Sequence, residues 1–143
     1  MDNKNLKGQV QNAMYKALLE KGWVAPVDIL LGMGVLSQVD YENWRFGRIP
    51  FLEMVCKANL TQLARIMHEA RVYAIQRSLK TSWTCYHQWG KHKERRLCFS
   101  KSGDEKIEHS YATHFVDSKR IAELKERNAS SDNAMPEADE IGE

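Results

Sequence analysis

The residues with the most evident chemistry lie in and beside the segment from Ser82 to Ser100. Basic side chains are dense there and face a single acid, Glu94; they are Lys80, Lys91, Lys93, Arg95, Arg96 and Lys101. Aromatic rings accompany them at Trp83, Tyr86, Trp89 and Phe99. Cations neutralise phosphate groups, and flat rings stack on unpaired bases. The pattern therefore predicts binding to DNA or RNA through Lys91, Lys93, Arg95, Arg96, Lys101 and Trp89.

A second group of residues supports an alternative function, as a module that binds another protein and no nucleic acid. It comprises Trp44, Arg45, Arg48 and Phe51. Tryptophan and arginine dominate the energetics of many protein interfaces. The structural alternative is that Trp44 packs over a neighbouring helix, as aromatic residues near helix ends commonly do.

Cysteine and histidine residues are frequent in the same region: Cys85, His87, His92, Cys98, His109 and His114. Their spacings, C-x-H and H-x4-H, differ from the short paired spacings of zinc sites. We therefore expect no metal ion and no cofactor, and we expect Cys85 and Cys98 to be small buried residues. The sequence leaves open whether Cys85, His87, Cys98, His109 and His114 come together in the fold.

The sequence contains no motif that predicts an enzyme. It has no G-x-S-x-G, no P-loop and no G-x-G-x-x-G. Cys56 follows the apolar residues Phe51 and Leu52, so we expect its thiol to be buried and inert. A non-catalytic protein is the favoured interpretation.

Composition and charge are those of one soluble domain of 143 residues, 43% hydrophobic and 28% charged. No apolar run is long enough for a membrane span, and no secretory leader is evident, so we expect a cytoplasmic protein with free cysteines. All 21 Lys and Arg precede Asn128, whereas five of the 19 Asp and Glu follow it, so residues 1–127 carry a formal charge of +7. A basic body is typical of proteins with anionic partners.

Apolar residues spaced by three and four predict helices over residues 5–21, 26–33, 38–46, 60–79 and 105–112, and a last helix ending near Arg127. Ser37, Asn59 and Asp104 are the predicted N-caps of three of them. Pro50 can begin a further helix, and the sequence leaves open whether residues 50–79 form one helix or two.

Around the basic segment, the apolar residues no longer recur at the three- and four-residue spacing of a helix. β-Formers on either side of it, Trp83–Tyr86 and Leu97–Phe99, predict an antiparallel β-hairpin over about residues 83–100. The fold class is therefore α+β: a mostly helical single domain over residues 1–127 with a small hairpin. Residues 128–143, an acidic stretch without apolar periodicity, are predicted to be a disordered tail.

Three segments of the chain, YENWRFGRIPFLE from Tyr41 to Glu53, FSKSG from Phe99 to Gly103 and YATHF from Tyr111 to Phe115, resemble a set of short uncharacterised bacterial proteins. The resemblance covers roughly residues 20 to 116. It implies a bacterial source and a helical body with a small β element, and it implies no catalytic activity.

Overall fold

The computed structural model describes residues 3–134, which form the predicted mostly helical α+β fold. The helices are α1 Asn3–Lys21, α2 Pro26–Gly32, α3 Gln38–Arg45, α4 Leu60–Gln76, α5 Glu105–Ala112 and α6 Ser118–Ala134. A 3-10 helix spans Leu52–Val55, and the strands are β1 Trp23–Val24, β2 Lys80–Trp83 and β3 Thr113–Val116. None of the described helices is both long and apolar enough to cross a bilayer.

One hydrophobic core joins the helices to the sheet. Helix α1 packs along α4, so that Leu6, Val10 and Met14 are buried in the same cluster as Leu63 and Ile66. These residues recur at the three- and four-residue spacing that places side chains on one side of a helix. The same cluster contains Tyr86, Leu97, Phe99 and Phe115, so the region after α4 is also anchored in the core.

The predicted N-caps are confirmed. Ser37 Oγ accepts a hydrogen bond from the amide of Asp40 at 3.1 Å, and Asp104 Oδ1 accepts from Lys106 and Ile107. Asn59 and Gln62 form a reciprocal capping box at the start of α4. Such caps satisfy amides that have no partner within the helix, which is why these helices begin where they do.

The sheet is antiparallel with the strand order β1-β3-β2, and its position differs from the predicted hairpin. Strand β2 ends at Trp83, which pairs with Thr113, so the strand lies before the basic segment. Residues 84–100 form a loop in which His87 and Arg96 make a single antiparallel bridge. Hydrogen bonds from Gln88 N to Arg95 O at 2.9 Å and from Leu97 N to Tyr86 O at 2.8 Å flank that bridge.

The loop does not continue into a regular hairpin beyond this bridge. Gly90 and His92 have positive φ values of 77° and 63°, outside the extended region. Strand β3 instead pairs with β1 on one edge and with β2 on the other.

Residues 50–79 form two separate helices, which answers the question that the sequence left open. Phe51 is extended, and the amides of Leu52 and Glu53 donate to the carbonyls of Cys98 and Phe99 at 3.2 and 2.9 Å. These bonds to the loop hold the chain out of an α-helix that would begin at Pro50. Helix α4 ends at Gln76, before the predicted end at Leu79, because Ser78 adopts a left-handed conformation with φ 54°.

At the C-terminus, α6 continues beyond the predicted boundary at Arg127. The helix includes residues 128–134, the first part of the predicted tail. Each residue added to an existing helix forms one more backbone hydrogen bond without a new nucleation cost, so a helix can extend into a polar sequence. The rest of the predicted tail, residues 135–143, lies outside the described residues.

Candidate functional site

We call residues 84–101 the basic loop, and its second half is fixed to the core by Trp44 on α3. Trp44 is 0% exposed, and its indole Nε1 donates to the carbonyl of Cys98 at 2.8 Å. Its ring packs against Tyr86 and Phe99, with centroids 5.8 and 5.0 Å away. A helix that precedes the loop by some forty residues thus holds the end of the loop in place.

Two carboxylates hold the same end of the basic loop. Glu108 on α5 accepts hydrogen bonds from the amides of Phe99 and Ser100 at 2.9 and 2.7 Å, and from Ser100 Oγ at 2.6 Å. Glu53 accepts from the amide of Lys101 at 3.0 Å and from the Tyr111 hydroxyl at 2.9 Å. Hydrogen bonds to an ionised acceptor are stronger than neutral ones, so the base of the loop is rigidly placed.

The cationic side chains that were predicted to bind nucleic acid lie on the solvent-exposed side of the loop. They are Lys91, Lys93, Arg95, Arg96 and Lys101, and all are exposed. Among residues 3–134, none of the five forms an ion pair; the pair within the loop joins His92 to Glu94 at 3.5 Å. Their charges are therefore free to produce a positive potential at the loop surface.

Two partly exposed tryptophans lie in or beside the loop that carries these cations. Trp89 is 37% exposed and packs edge-on against Tyr41 and Phe46, with centroids 5.8 and 5.5 Å away. Trp83 is 47% exposed, stacks on His109 at 5.5 Å, and has the Arg96 guanidinium 5.8 Å from its ring centre. The set of nucleic-acid-binding residues predicted from the sequence included Trp89 but omitted Trp83.

The surface proposed for protein binding is not assembled as predicted. Trp44 is fully buried, so its assignment as a surface anchor is wrong and its structural alternative is the correct one. Arg48 is exposed, but it donates to Asn43 Oδ1 at 2.9 Å and lies over the Phe46 ring. Phe51 is half-buried, and Arg45 faces a cleft.

This cleft was not found by sequence reasoning. It has a volume of about 450 Å³ and brings together side chains from α1 to β3: Lys21, Trp23, Asp28, Tyr41, Arg45, Tyr86, Trp89 and His114. Lys21 Nζ forms an ion pair with Asp28 at 2.8 Å and lies 3.8 Å from the centre of the Trp23 ring. No sequence spacing signals this site, because its residues are distributed over most of the chain.

His114 and Tyr86 form the floor of the cleft. The Tyr86 hydroxyl and His114 Nε2 are hydrogen-bonded at 3.1 Å, and the His114 ring stacks on Trp23 at 5.0 Å. Burial lowers the pKa of His114, with Lys21 acting in the same direction and Asp28 opposing it. Burial also raises the pKa of Tyr86 and of Tyr41, although the positive charge of Arg45 opposes both shifts. The floor is therefore uncharged near neutral pH.

The thiols and imidazoles do not form a metal site in the part of the chain that the structure describes. No group of three His, Cys, Asp or Glu side chains there is arranged to hold a metal ion. Cys85 and Cys98 are free and half-buried, so they are more accessible than we predicted. Burial, with Glu53 and Asp40 nearby, raises the pKa of Cys56 to about 12, which makes its thiolate scarce.

No known protein family, curated protein or solved structure matches this chain. Function must therefore be inferred from the chemistry of the two surfaces described above. The basic loop presents free cations and exposed rings, and the cleft presents a partly buried arginine among aromatic side chains.

Proposed function

We propose that the protein is a non-catalytic accessory protein that binds single-stranded or looped DNA or RNA through the basic loop. The observation that carries the proposal is the presence of five exposed cations, none in an ion pair among the described residues, on a loop that contains or adjoins two exposed tryptophans. The cations are Lys91, Lys93, Arg95, Arg96 and Lys101. Phosphate contacts by Lys and Arg release counterions, which is the main source of affinity for nucleic acids.

The exposed rings favour an unpaired strand over a duplex. Trp83 and Trp89 both precede the cations in sequence, and they are 47% and 37% exposed. Bases in a duplex are stacked on one another, so a protein ring can stack only on bases that are unpaired. A stacked base contributes about 1–3 kcal/mol by alanine substitution, without sequence preference.

The rigid base of the basic loop also supports this function. Hydrogen bonds from the loop backbone to Glu53 and Glu108 keep the two carboxylates turned toward the core. These two acids are thus occupied by backbone donors, and Glu94 within the loop pairs with His92. Binding to a preplaced loop also avoids part of the entropy cost of ordering it.

We place this activity in the bacterial cytosol. The resemblance of Tyr41–Glu53, Phe99–Gly103 and Tyr111–Phe115 to bacterial proteins supports the source, and three free cysteines fit a reducing compartment. The alternative function, as a module that binds another protein, would need an anchor other than Trp44, because that side chain is buried.

Titration of fluorescently labelled oligonucleotides at low salt tests the proposal. Wild-type protein should bind single strands and hairpin loops more tightly than a blunt duplex of the same length. The double variant Arg95→Gln with Arg96→Gln should bind at least about tenfold more weakly, because two phosphate contacts are lost. Trp83→Ala should weaken single-strand binding and leave the weak duplex binding unchanged.

A matched control separates this site from general charge. Arg65 on α4 and Arg127 on α6 are exposed, so Arg65→Gln with Arg127→Gln removes the same two charges from other surfaces. It should retain most of the wild-type affinity. Equal weakening by both double variants, or no binding by the wild type at low salt, would refute the assignment of the basic loop.

A further inference from the structure

The cleft beside the basic loop contains an arginine whose charge is not compensated by the protein. The Arg45 guanidinium lies between two rings, 4.9 Å from the centre of Tyr86 and 4.6 Å from that of Trp89. Its Nε is buried and has no hydrogen-bond partner among the described residues. Tyr41 lies beside the same guanidinium; burial raises the pKa of Tyr41, and the positive charge of Arg45 opposes that rise. A charge held among rings without an acidic partner favours the approach of an anion.

The other charged groups of the cleft do not supply an acidic partner for Arg45. Asp28 is the acidic side chain lining it, and its carboxylate already accepts from Lys21 Nζ at 2.8 Å and from the amide of Ala25 at 2.9 Å. Within residues 3–134, Arg45 takes part in no ion pair. Lys21 and Asp28 neutralise each other, and the net charge of the cleft near neutral pH is therefore that of Arg45.

The walls of the cleft are flat and aromatic. Trp23 and His114 stack with an interplanar angle of 15°, and Tyr41 and Trp89 meet edge to face. The backbone keeps Arg45 and Trp89 together, because the amide of Trp89 donates to the carbonyl of Arg45 at 2.7 Å. A volume of about 450 Å³ is within the range of pockets that hold small molecules.

From these observations we propose that the cleft binds a small molecule in which a flat ring is joined to an oxyanion. The oxyanion, a phosphate or a carboxylate, accepts hydrogen bonds from Arg45, and the ring packs among Trp23, Tyr41 and Trp89. Arginine suits this role because its planar guanidinium can donate two parallel hydrogen bonds to either oxyanion. The site includes none of the cations of the basic loop, although it shares Trp89 with that loop.

Nuclear magnetic resonance of 15N-labelled protein can test the proposal residue by residue. The chain has four tryptophans, each with one indole N–H signal, and single Trp→Phe variants would assign them. Titration with AMP or with 4-hydroxybenzoate should shift the signals of Trp23 and Trp89 and the Nε–H signal of Arg45. The signal of Trp83, which lies outside the cleft, should change least. The two probes distinguish a phosphate from a carboxylate ligand.

Partial probes test whether both chemical groups are needed. Adenosine carries the ring without the oxyanion, and ribose 5-phosphate carries the oxyanion without the ring, so each should bind at least about tenfold more weakly than AMP. Arg45→Gln should weaken AMP binding by at least about tenfold, and Arg45→Lys should retain part of it. The indole signal of Trp44, fixed by its bond to Cys98, reports whether each variant is folded.

Control variants keep the two sites apart. Arg65→Gln removes an exposed charge from α4, which contributes no residue to the cleft, and it should leave AMP binding unchanged. Arg95→Gln with Arg96→Gln should also leave it unchanged, although that variant weakens nucleic-acid binding. The proposal is overturned if neither probe shifts Trp23 and Trp89 at millimolar concentration, or if a folded Arg45→Gln variant binds them as wild type does.

Discussion

The indole N–H of Trp44 donates to the carbonyl of Cys98 at 2.8 Å, which joins α3 to the basic loop across 54 residues of sequence. Trp44 has no exposed surface, so this bond is shielded from water. The same carbonyl also accepts from the amide of Leu52 at 3.2 Å, so it ties the loop both to α3 and to the 3-10 helix. The position of the loop therefore depends on a residue that cannot contact a ligand itself.

Replacement of Trp44 by phenylalanine should destabilise the whole domain. The variant loses the bond to Cys98, a net contribution of about 0.5–1.5 kcal/mol, and it opens a small cavity. Urea denaturation followed by circular dichroism would measure the change. Trp83→Phe is the control, because Trp83 is 47% exposed and its replacement should cost no more than about 0.5 kcal/mol. Equal losses in the two variants would contradict this account.

Glu108→Gln should loosen the end of the basic loop. Glu108 accepts three hydrogen bonds from Phe99 and Ser100, and a glutamine would direct an amide N–H toward one of those donors. The expected loss of stability is about 1.5–3 kcal/mol, the usual contribution of a hydrogen bond to a charged group. Hydrogen exchange should accelerate at the amides of Phe99 and Ser100. Glu105→Gln, an exposed change on the same helix, should leave these two amides protected.

Stability should fall when the pH drops below about 6.5, partly because of His114. Burial lowers the pKa of His114 below its ordinary value of 6.5, so the unfolded chain takes up this proton before the folded one does. The contribution is therefore fully present above pH 6.5 and is lost as the pH falls through the lower folded pKa. Melting temperatures between pH 5 and pH 7 would show it, and His114→Gln should flatten the slope. His68→Gln, an exposed change on α4, is the matched control, and the same flattening there would contradict the role of His114.

Alkylation should be slow at Cys56. Its pKa of about 12 leaves little thiolate at pH 8, whereas an unfolded cysteine has a pKa near 8.5. Iodoacetamide labelling resolved by peptide mass spectrometry should give a rate at Cys56 more than about a hundredfold below that of the urea-unfolded chain. Rapid labelling of Cys56 in the folded protein would show that its surroundings open readily.

Local sequence signals were sufficient to predict the helical body. Side-chain caps at Ser37, Asn59 and Asp104 are short-range interactions, and apolar spacing marks the inner side of α1 and α4. The location of the sheet could not be predicted in the same way. Strand β3 pairs with β1 and β2, which both lie some thirty or more residues earlier in the sequence. The choice of these partners depends on tertiary contacts.

The candidate surfaces show the same contrast. The cations of the basic loop were predictable, because charge density is visible in sequence and exposed charges stay at the surface. The burial of Trp44 and the inward position of Arg45 were not, since they depend on where the loop returns to α3. The cleft assembles residues as distant as Lys21 and His114, and no local pattern relates them.

The salt dependence of single-strand binding tests the central claim most directly. For single-stranded nucleic acid, the logarithm of the binding constant falls by about 0.7 per phosphate contact for each unit of the logarithm of salt concentration. The account predicts that Arg95→Gln with Arg96→Gln flattens this slope by about 1.4, while Arg65→Gln with Arg127→Gln leaves it as in wild type. An unchanged slope in a folded Arg95→Gln and Arg96→Gln variant would contradict the assignment of the basic loop as the nucleic-acid contact.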